Sequence, residues 1–261
     1  MQKTPVLMAL SEFPEQLHPF LRNAALYDSS SSPEARVWFV DKGEGFYLKK
    51  AAKGTLKDEA ELTVYFKNKG LGVELLAYLS LKEDWMLTRA ARGEDCTHAQ
   101  YLAQPQRLCD TLATQLRALH EMSYDGCPVK NRTASYLQAV RQGYAAGNFD
   151  NRLVLFDGLP QNAEDSFAFA MQHAPLLKND TFIHGDYCLP NVVLDNWQFS
   201  AFIDVTHGGV GERHIDLFWG IWSLAFNLNS TQYTERFLDA YGRDRVDMLC
   251  LQTVACMERF G

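Results

Sequence analysis

Residues 181–204, TFIHGDYCLPNVVLDNWQFSAFID, read as strand, loop, strand, turn and strand. His184-Gly185-Asp186 is followed five residues after the acid by Asn191, and thirteen residues farther on Asp204 ends the apolar run Phe202-Ile203. Magnesium-dependent phosphoryl transfer needs one carboxylate to orient an attacking hydroxyl and accept its proton. It also needs an amide oxygen and a second carboxylate to hold metal against nucleotide phosphates. Asp186, Asn191 and Asp204 can fill those three places. Gly and Asp are also ordinary turn residues, so HGD alone decides little and the whole arrangement decides more. A hairpin through Asp195-Asn196 would bring Asn191, which opens one strand, and Asp204, which closes the next, to the same end.

Working upstream, residues 36–40 and 45–49 read as two strands joined by Asp41-Lys-Gly-Glu44. A lysine at the end of the second strand could place its ammonium between two phosphates if a following helix supplied a carboxylate. Residues 55–67 have the composition and spacing of such a helix. Lys49 and Glu59 suit the two roles, with Lys50 and Glu61 as competitors. Along the strand, Tyr47 alternates with Phe46 and Leu48, so one face is core and the other is open to a ligand. No GxGxxG and no Walker sequence marks a phosphate cradle. Residues 85–93 read as a strand running into a Gly-terminated turn. Residues 105–122 are a strong amphipathic helix on Leu108, Leu112, Leu116 and Leu119, with His120 packed or capping at its end. Further helices are expected at 133–144, 163–173, 233–241 and 246–260, and at 214–228, which is apolar on nearly every face and hence buried or partly turned to a ligand cleft.

HGDYCLPN (184–191), FSAFID (199–204) and GVGERHIDL (209–217) together resemble the signature of the aminoglycoside 3'-phosphotransferases, antibiotic kinases with a protein-kinase-like fold. The resemblance runs from about Ser32 to Phe260. It implies an α+β, two-lobed architecture: a small, mainly antiparallel β lobe with one helix over 1–92, and a larger, mostly helical lobe over 93–261. It implies Asp186 as catalytic base, Asn191 and Asp204 as magnesium ligands, and Asp216 as a buried acid that braces the catalytic loop beside His184. It favours Lys49 and Glu59 for the nucleotide site, and adds Ser32 in a nucleotide loop, Tyr47 stacked on adenine, and the backbone of Arg89 and Ala91 at the adenine edge. Asp150, Asn151, Asn227, Glu258 and Phe260 fall where family members build the antibiotic pocket. The implied activity is transfer of the γ-phosphoryl of ATP or GTP, with Mg2+, to the 3'-hydroxyl of an aminoglycoside, conferring resistance. A kinase of another small alcohol (amino sugar, sugar or choline-like) is the alternative, and a non-catalytic nucleotide-binding protein is a third.

Three departures concern the substrate. Phe226 and Asn227 stand where the family carries acids, Met257 stands where it often has Asp, and Val205-Thr206-His207 replaces Gly-Arg after Asp204. Recognition of an ammonium rests on charge-assisted hydrogen bonds, roughly twice as strong as neutral ones. Losing such acids weakens the grip on a polycation and leaves the phosphoryl-transfer residues in place.

The totals agree with a small-molecule enzyme. With 25 Lys and Arg against 32 Asp and Glu the net charge is −7; residues 1–130 carry −1 of it and residues 131–261 carry −6. The balance disfavours nucleic-acid binding, which needs a basic footprint, whereas an acidic second half suits a small cationic ligand. No apolar run approaches a bilayer span and no leader is evident, so the expectation is a cytoplasmic protein, monomeric or weakly dimeric, with no membrane partner. The six cysteines show no zinc spacing and read as reduced packing residues. Cys188, inside the loop, lacks an activating neighbour.

Overall fold

The computed structural model describes residues 3–30, 35–153 and 155–261; Ser32 lies outside them. The chain divides into two compact units, Met1–Asp95 with Val193–Thr206, and Cys96–Val192 with His207–Gly261. Residues 193–206, expected with the second lobe, thus pack with the first.

The first unit is built on six strands, β1 (Thr4–Val6), β2 (Ala25–Asp28), β3 (Ala35–Asp41), β4 (Phe46–Ala52), β5 (Leu75–Ser80) and β6 (Glu83–Arg89), in the order β1-β2-β3-β4-β6-β5, every pairing antiparallel. Alternation along the strands gives the sheet two apolar faces. On one, Trp38, Val40, Leu48, Trp85 and Leu87 meet Phe13, Leu17 and Leu21 of the N-terminal segment; Trp38 and Trp85 stack with centroids 6.1 Å apart. The segment before residue 22, which has no period of its own, is thus the cover of that face, with a one-turn α1 (His18–Leu21) in it. On the other face α2 (Lys57–Asn68) packs Leu56 and Ala60 against Met86.

A second sheet of this unit has the order β10-β9-β7, from β7 (Glu94–Asp95), β9 (Val192–Asp195) and β10 (Gln198–Phe202). It explains why residues 193–206 join the first unit: Glu94 and Asp95 pair with Leu194 and Val193, and the Phe202 N–H donates to Leu71 O at 2.7 Å. The turn between β9 and β10 is Asn196-Trp197, φ +49° and +70°, the left-handed pair that a two-residue type I′ turn requires.

The second unit is helical apart from β8 (Thr181–Ile183), paired antiparallel with β11 (Gly209–Gly211). Its helices are α3 (Ala99–Leu102), α4 (Pro105–His120), α5 (Arg132–Ala145), α6 (Ala163–His173), α7 (Arg213–Leu228), α8 (Thr234–Tyr241) and α9 (Met248–Met257). The leucine stripe of α4 is fully buried, and α4 packs on α7 and α8. The last expected helix stops early: residues 258–260 form a 3-10 turn after α9.

Candidate active site

In the first unit, strand alternation sends Lys49 and Lys50 to opposite faces of β4. Lys50 lies opposite Trp85, its ammonium 5.3 Å from that ring's centroid and paired with Glu83 at 2.9 Å. Lys49 points to the α2 face. There Glu59, in the first turn of α2, is 3% exposed and takes two hydrogen bonds from Lys49 Nζ, at 2.8 and 3.0 Å. Asp204 Oδ1 takes a third at 3.0 Å, which uses all three donors of the ammonium. Glu61 is exposed and pairs with Lys57. Burial works against the Lys49 charge, but Asp204 and Glu59 outweigh it and the pKa rises. Burial lifts the Glu59 carboxyl, with Lys49 pulling the other way. Asp204 itself sits at φ +55°, a left-handed backbone that Asp tolerates through local hydrogen bonds; the Thr206 hydroxyl donates to its Oδ1 at 3.1 Å.

Tyr47 shares the face of Lys49 and lies opposite Phe39, ring centroids 5.3 Å apart. Burial, and then the charges of Asp95 and Glu94, raise its pKa. At the end of β6 the Arg89 N–H already donates to Glu74 O at 2.9 Å, so it has no backbone donor to spare for a base. Ala91 lies just past the strand.

In the second unit the loop after β8 is held from beneath. Asp216, in the first turn of α7 and wholly buried, accepts from His184 N at 2.7 Å through Oδ2 and from Gly185 N at 2.6 Å through Oδ1. His120 Nε2 lies 3.0 Å from Asp216 Oδ2, and Nδ1 lies 2.8 Å from the Tyr241 hydroxyl. A carboxylate only accepts, so Nε2 carries the proton and Nδ1 accepts from Tyr241; burial lowers the His120 pKa and keeps the ring neutral. The packed His120 of the sequence reading is thus the second support of the brace. Gly185 has φ +82°, and a Cβ there would lie 1.9 Å from His207 O; no other residue allows this turn.

The turn presents Asp186, whose N–H donates to His184 Nδ1 at 3.3 Å. Asn191 Nδ2 donates to Asp186 O at 3.0 Å and to Asp186 Oδ2 at 2.8 Å, so the amide oxygen of Asn191 faces away from Asp186. Cys188 is no nucleophile: burial, and then the Asp186 charge, push its thiol well above the usual range.

Of the residues expected at the substrate, Asp150 and Glu258 line a cavity of about 580 Å³ in this unit. Asn151 is exposed and does not line it. Phe260 does not line it either: it is fully buried among Tyr144, Phe149 and Phe167. Asn227 turns its amide back onto Ser223 O at 2.8 Å. Met257 is core. The cavity has an aromatic wall of Trp219, Trp222 and Phe226; the sequence singled out Phe226 and a helix partly turned to a cleft but not the two tryptophans, which the spacing of three and four would have put on the same face.

The family sequence model described as the phosphotransferase enzyme family matches residues 30–250. A probable aminoglycoside 3'-phosphotransferase of Lactococcus lactis is 47% identical, over 97% of this chain and 96% of its own. An aminoglycoside 3'-phosphotransferase of Niallia circulans is 28% identical over 74% of each chain. Among solved structures, a type VIII aminoglycoside-3'-phosphotransferase matches with a TM-score of 0.74 at 24% identity over 96% of both chains. An aminoglycoside phosphotransferase of Streptomyces rimosus, solved with ADP and streptomycin, matches with a TM-score of 0.76 at 17% identity over 97% of this chain and 99% of that one. These two structures speak to fold, and the fold is the expected two-lobed, kinase-like α+β architecture. With a family match over most of its length and a relative at 47% identity along nearly all of it, the chain belongs to the phosphotransferase enzyme family.

Proposed function

We propose that the protein transfers the γ-phosphoryl of ATP or GTP to a hydroxyl of an aminoglycoside antibiotic, the 3'-hydroxyl by family resemblance, and so confers resistance from the cytoplasm, as a monomer or weak dimer. The observation that carries the reading is the Lys49 ammonium held by buried Glu59, the ion pair that fixes a lysine on nucleotide phosphates in kinase-type sites. The name of the Lactococcus relative supports the acceptor.

In this reading Glu59 keeps the Lys49 ammonium in place, and the N–H now given to Asp204 would turn to the α- and β-phosphates when nucleotide binds, which frees the Asp204 carboxylate. Asp186 orients the acceptor hydroxyl and takes its proton as the oxygen bonds to phosphorus and the nucleoside diphosphate leaves. Asn191 and Asp204 would hold Mg2+. The donor chemistry fits: an amide oxygen turned away from Asp186 and a carboxylate with a 47% exposed side chain are hard oxygen ligands, and Mg2+ commonly uses one or two carboxylates with substrate phosphates and water. When bound, the metal neutralises charge on the phosphates. Tyr47, Ala91 and Ser32 are assigned to the nucleoside, and Glu258, beside an Asp150 held by Arg152, to the acceptor. No helix among the described residues is long and apolar enough to cross a membrane.

The test is nucleotide turnover with Mg2+ and ATP or GTP over a panel of kanamycin, neomycin, choline and simple amino sugars. Asp186→Ala is expected to lower turnover by about 10²–10⁴-fold with an unchanged melting curve; full activity in that variant refutes the assignment. The replacement of acids at Phe226 and Asn227 favours one second reading, a kinase of another amino sugar, and turnover of that class alone would select it.

A further inference from the structure

On α7, Trp219, Trp222 and Phe226 follow at spacings of three and four and so share a face. The rings of Trp222 and Phe226 are stacked, centroids 5.1 Å apart and planes at 14°; Trp219 stands edge-on to Trp222 at 5.5 Å. Phe226 is 69% exposed, and all three rings line the cavity that also holds Asp150, Arg152 and Glu258.

Formal charge in this cavity nearly cancels. Arg152 grips Asp150 with Nε–Oδ1 at 2.9 Å and Nη2–Oδ2 at 2.6 Å, which holds the Asp150 carboxyl down at about 2 and occupies it. Glu258 is 7% exposed and its Oε1 has no hydrogen-bond partner. Burial pushes its carboxyl up to about 8, with Tyr136 and Trp219 pulling the other way and the charge of Asp186 adding to the rise. Among its side chains the cavity therefore offers a polycation one buried acid beside an aromatic ledge, and that acid is close enough to Asp186 to feel it.

We propose that Trp222 and Phe226 determine substrate specificity by forming a platform for the apolar C–H face of a saturated amino-sugar or aminocyclitol ring, with one ring ammonium directed to Glu258. Ring shape, more than the number of positive charges, then selects the substrate. Stacking buries apolar surface of the ring and places its ammonium groups near aromatic faces, where the ring quadrupole attracts them. The Glu258 carboxyl releases its proton to solvent as it pairs with the ammonium. The inference rests on the phosphotransferase reading only in placing the acceptor hydroxyl beside Asp186.

Calorimetric titration of the full chain with kanamycin A and with spermine tests this directly, since the two carry equal numbers of amines and only the first has ring faces. Kanamycin A is expected to bind more tightly. Its Kd should rise on the order of tenfold in Phe226→Ala and in Trp222→Ala and recover most of the way in Trp222→Tyr, while spermine, which offers ammonium groups but no ring face to stack, should lose clearly less in each alanine variant. In steady state the alanine variants should raise KM for the sugar and leave kcat near that of the wild type. Phe226 is largely exposed, so Phe226→Ala decides the matter alone if Trp222→Ala fails to fold. Equal kanamycin affinity in wild type and Phe226→Ala, or no kanamycin binding at all, overturns the platform. Aromatic-dependent binding without phosphoryl transfer overturns the phosphotransferase reading and leaves the platform standing.

Discussion

Replacing Asp216 by Asn changes one buried atom and tests the brace under the catalytic turn. The carboxylate accepts from His184 N–H and His120 Nε2–H on Oδ2 and from Gly185 N–H on Oδ1. An amide can put its oxygen on one branch only. With the oxygen in the Oδ2 position two bonds survive, and the NH2 group faces the Gly185 N–H, donor against donor. A buried donor left unsatisfied costs about 1–3 kcal/mol. The two surviving bonds lose their charge assistance, which is worth about 1 kcal/mol each. Relief from burying a charge offsets part of this, so a net loss of roughly 2–4 kcal/mol is expected. Urea unfolding followed by tryptophan fluorescence should register it as a midpoint lowered by about 1–2 M at a typical slope. Because His184 and Gly185 set the backbone of Asp186, kcat should fall as well. Nucleotide affinity should hold, since Lys49, Glu59 and Asp204 belong to the other unit. An Asp216→Asn variant with wild-type midpoint and wild-type kcat would refute the bracing argument.

Two further perturbations probe the buried charges. Lys49→Met leaves Glu59 buried without its cation, a loss of about 3–5 kcal/mol for a broken buried pair; adding Glu59→Gln should recover most of that stability in thermal melts without recovering turnover, and a double variant as unstable as the single would argue against the pairing. For Glu258 the folded carboxyl is raised to about 8 from 4.5, so between those values the folded state holds a proton that the unfolded state has lost. Stability then falls as pH rises through that window, by at most ~1.4 kcal/mol per pH step and about 5 kcal/mol in all. Melting curves from pH 5 to 9 should show Glu258→Gln gaining on the wild type as pH rises, and a constant gap would show the carboxyl to be solvated.

How much was legible in the sequence depends on the range of the interaction. The spacing of Asp186, Asn191 and Asp204 and the leucine stripe of α4 were readable, because turn chemistry and helical period are local. So was the hairpin near Asp195-Asn196, which the structure centres one residue later, on Asn196-Trp197. Fold class followed from the resemblance those motifs carry. The residues alone left Lys49 and Lys50 open and the resemblance favoured Lys49; tertiary pairing supplies the physical reason, since the choice depends on which face of β4 receives α2. The same holds for the N-terminal segment, whose Phe13, Leu17 and Leu21 have no period and acquire a role only when a sheet lies beneath them. It holds for residues 193–206, drawn into the first unit by a two-residue ladder to β7. His120 and Asp216 are 96 positions apart, and no pattern in the chain couples them. The cavity along α7 was the least legible part. Phe260 and Phe226 are the same residue type, yet one is fully buried and the other 69% exposed, and that difference arises from which helices cover each ring and from nothing in its neighbourhood along the chain.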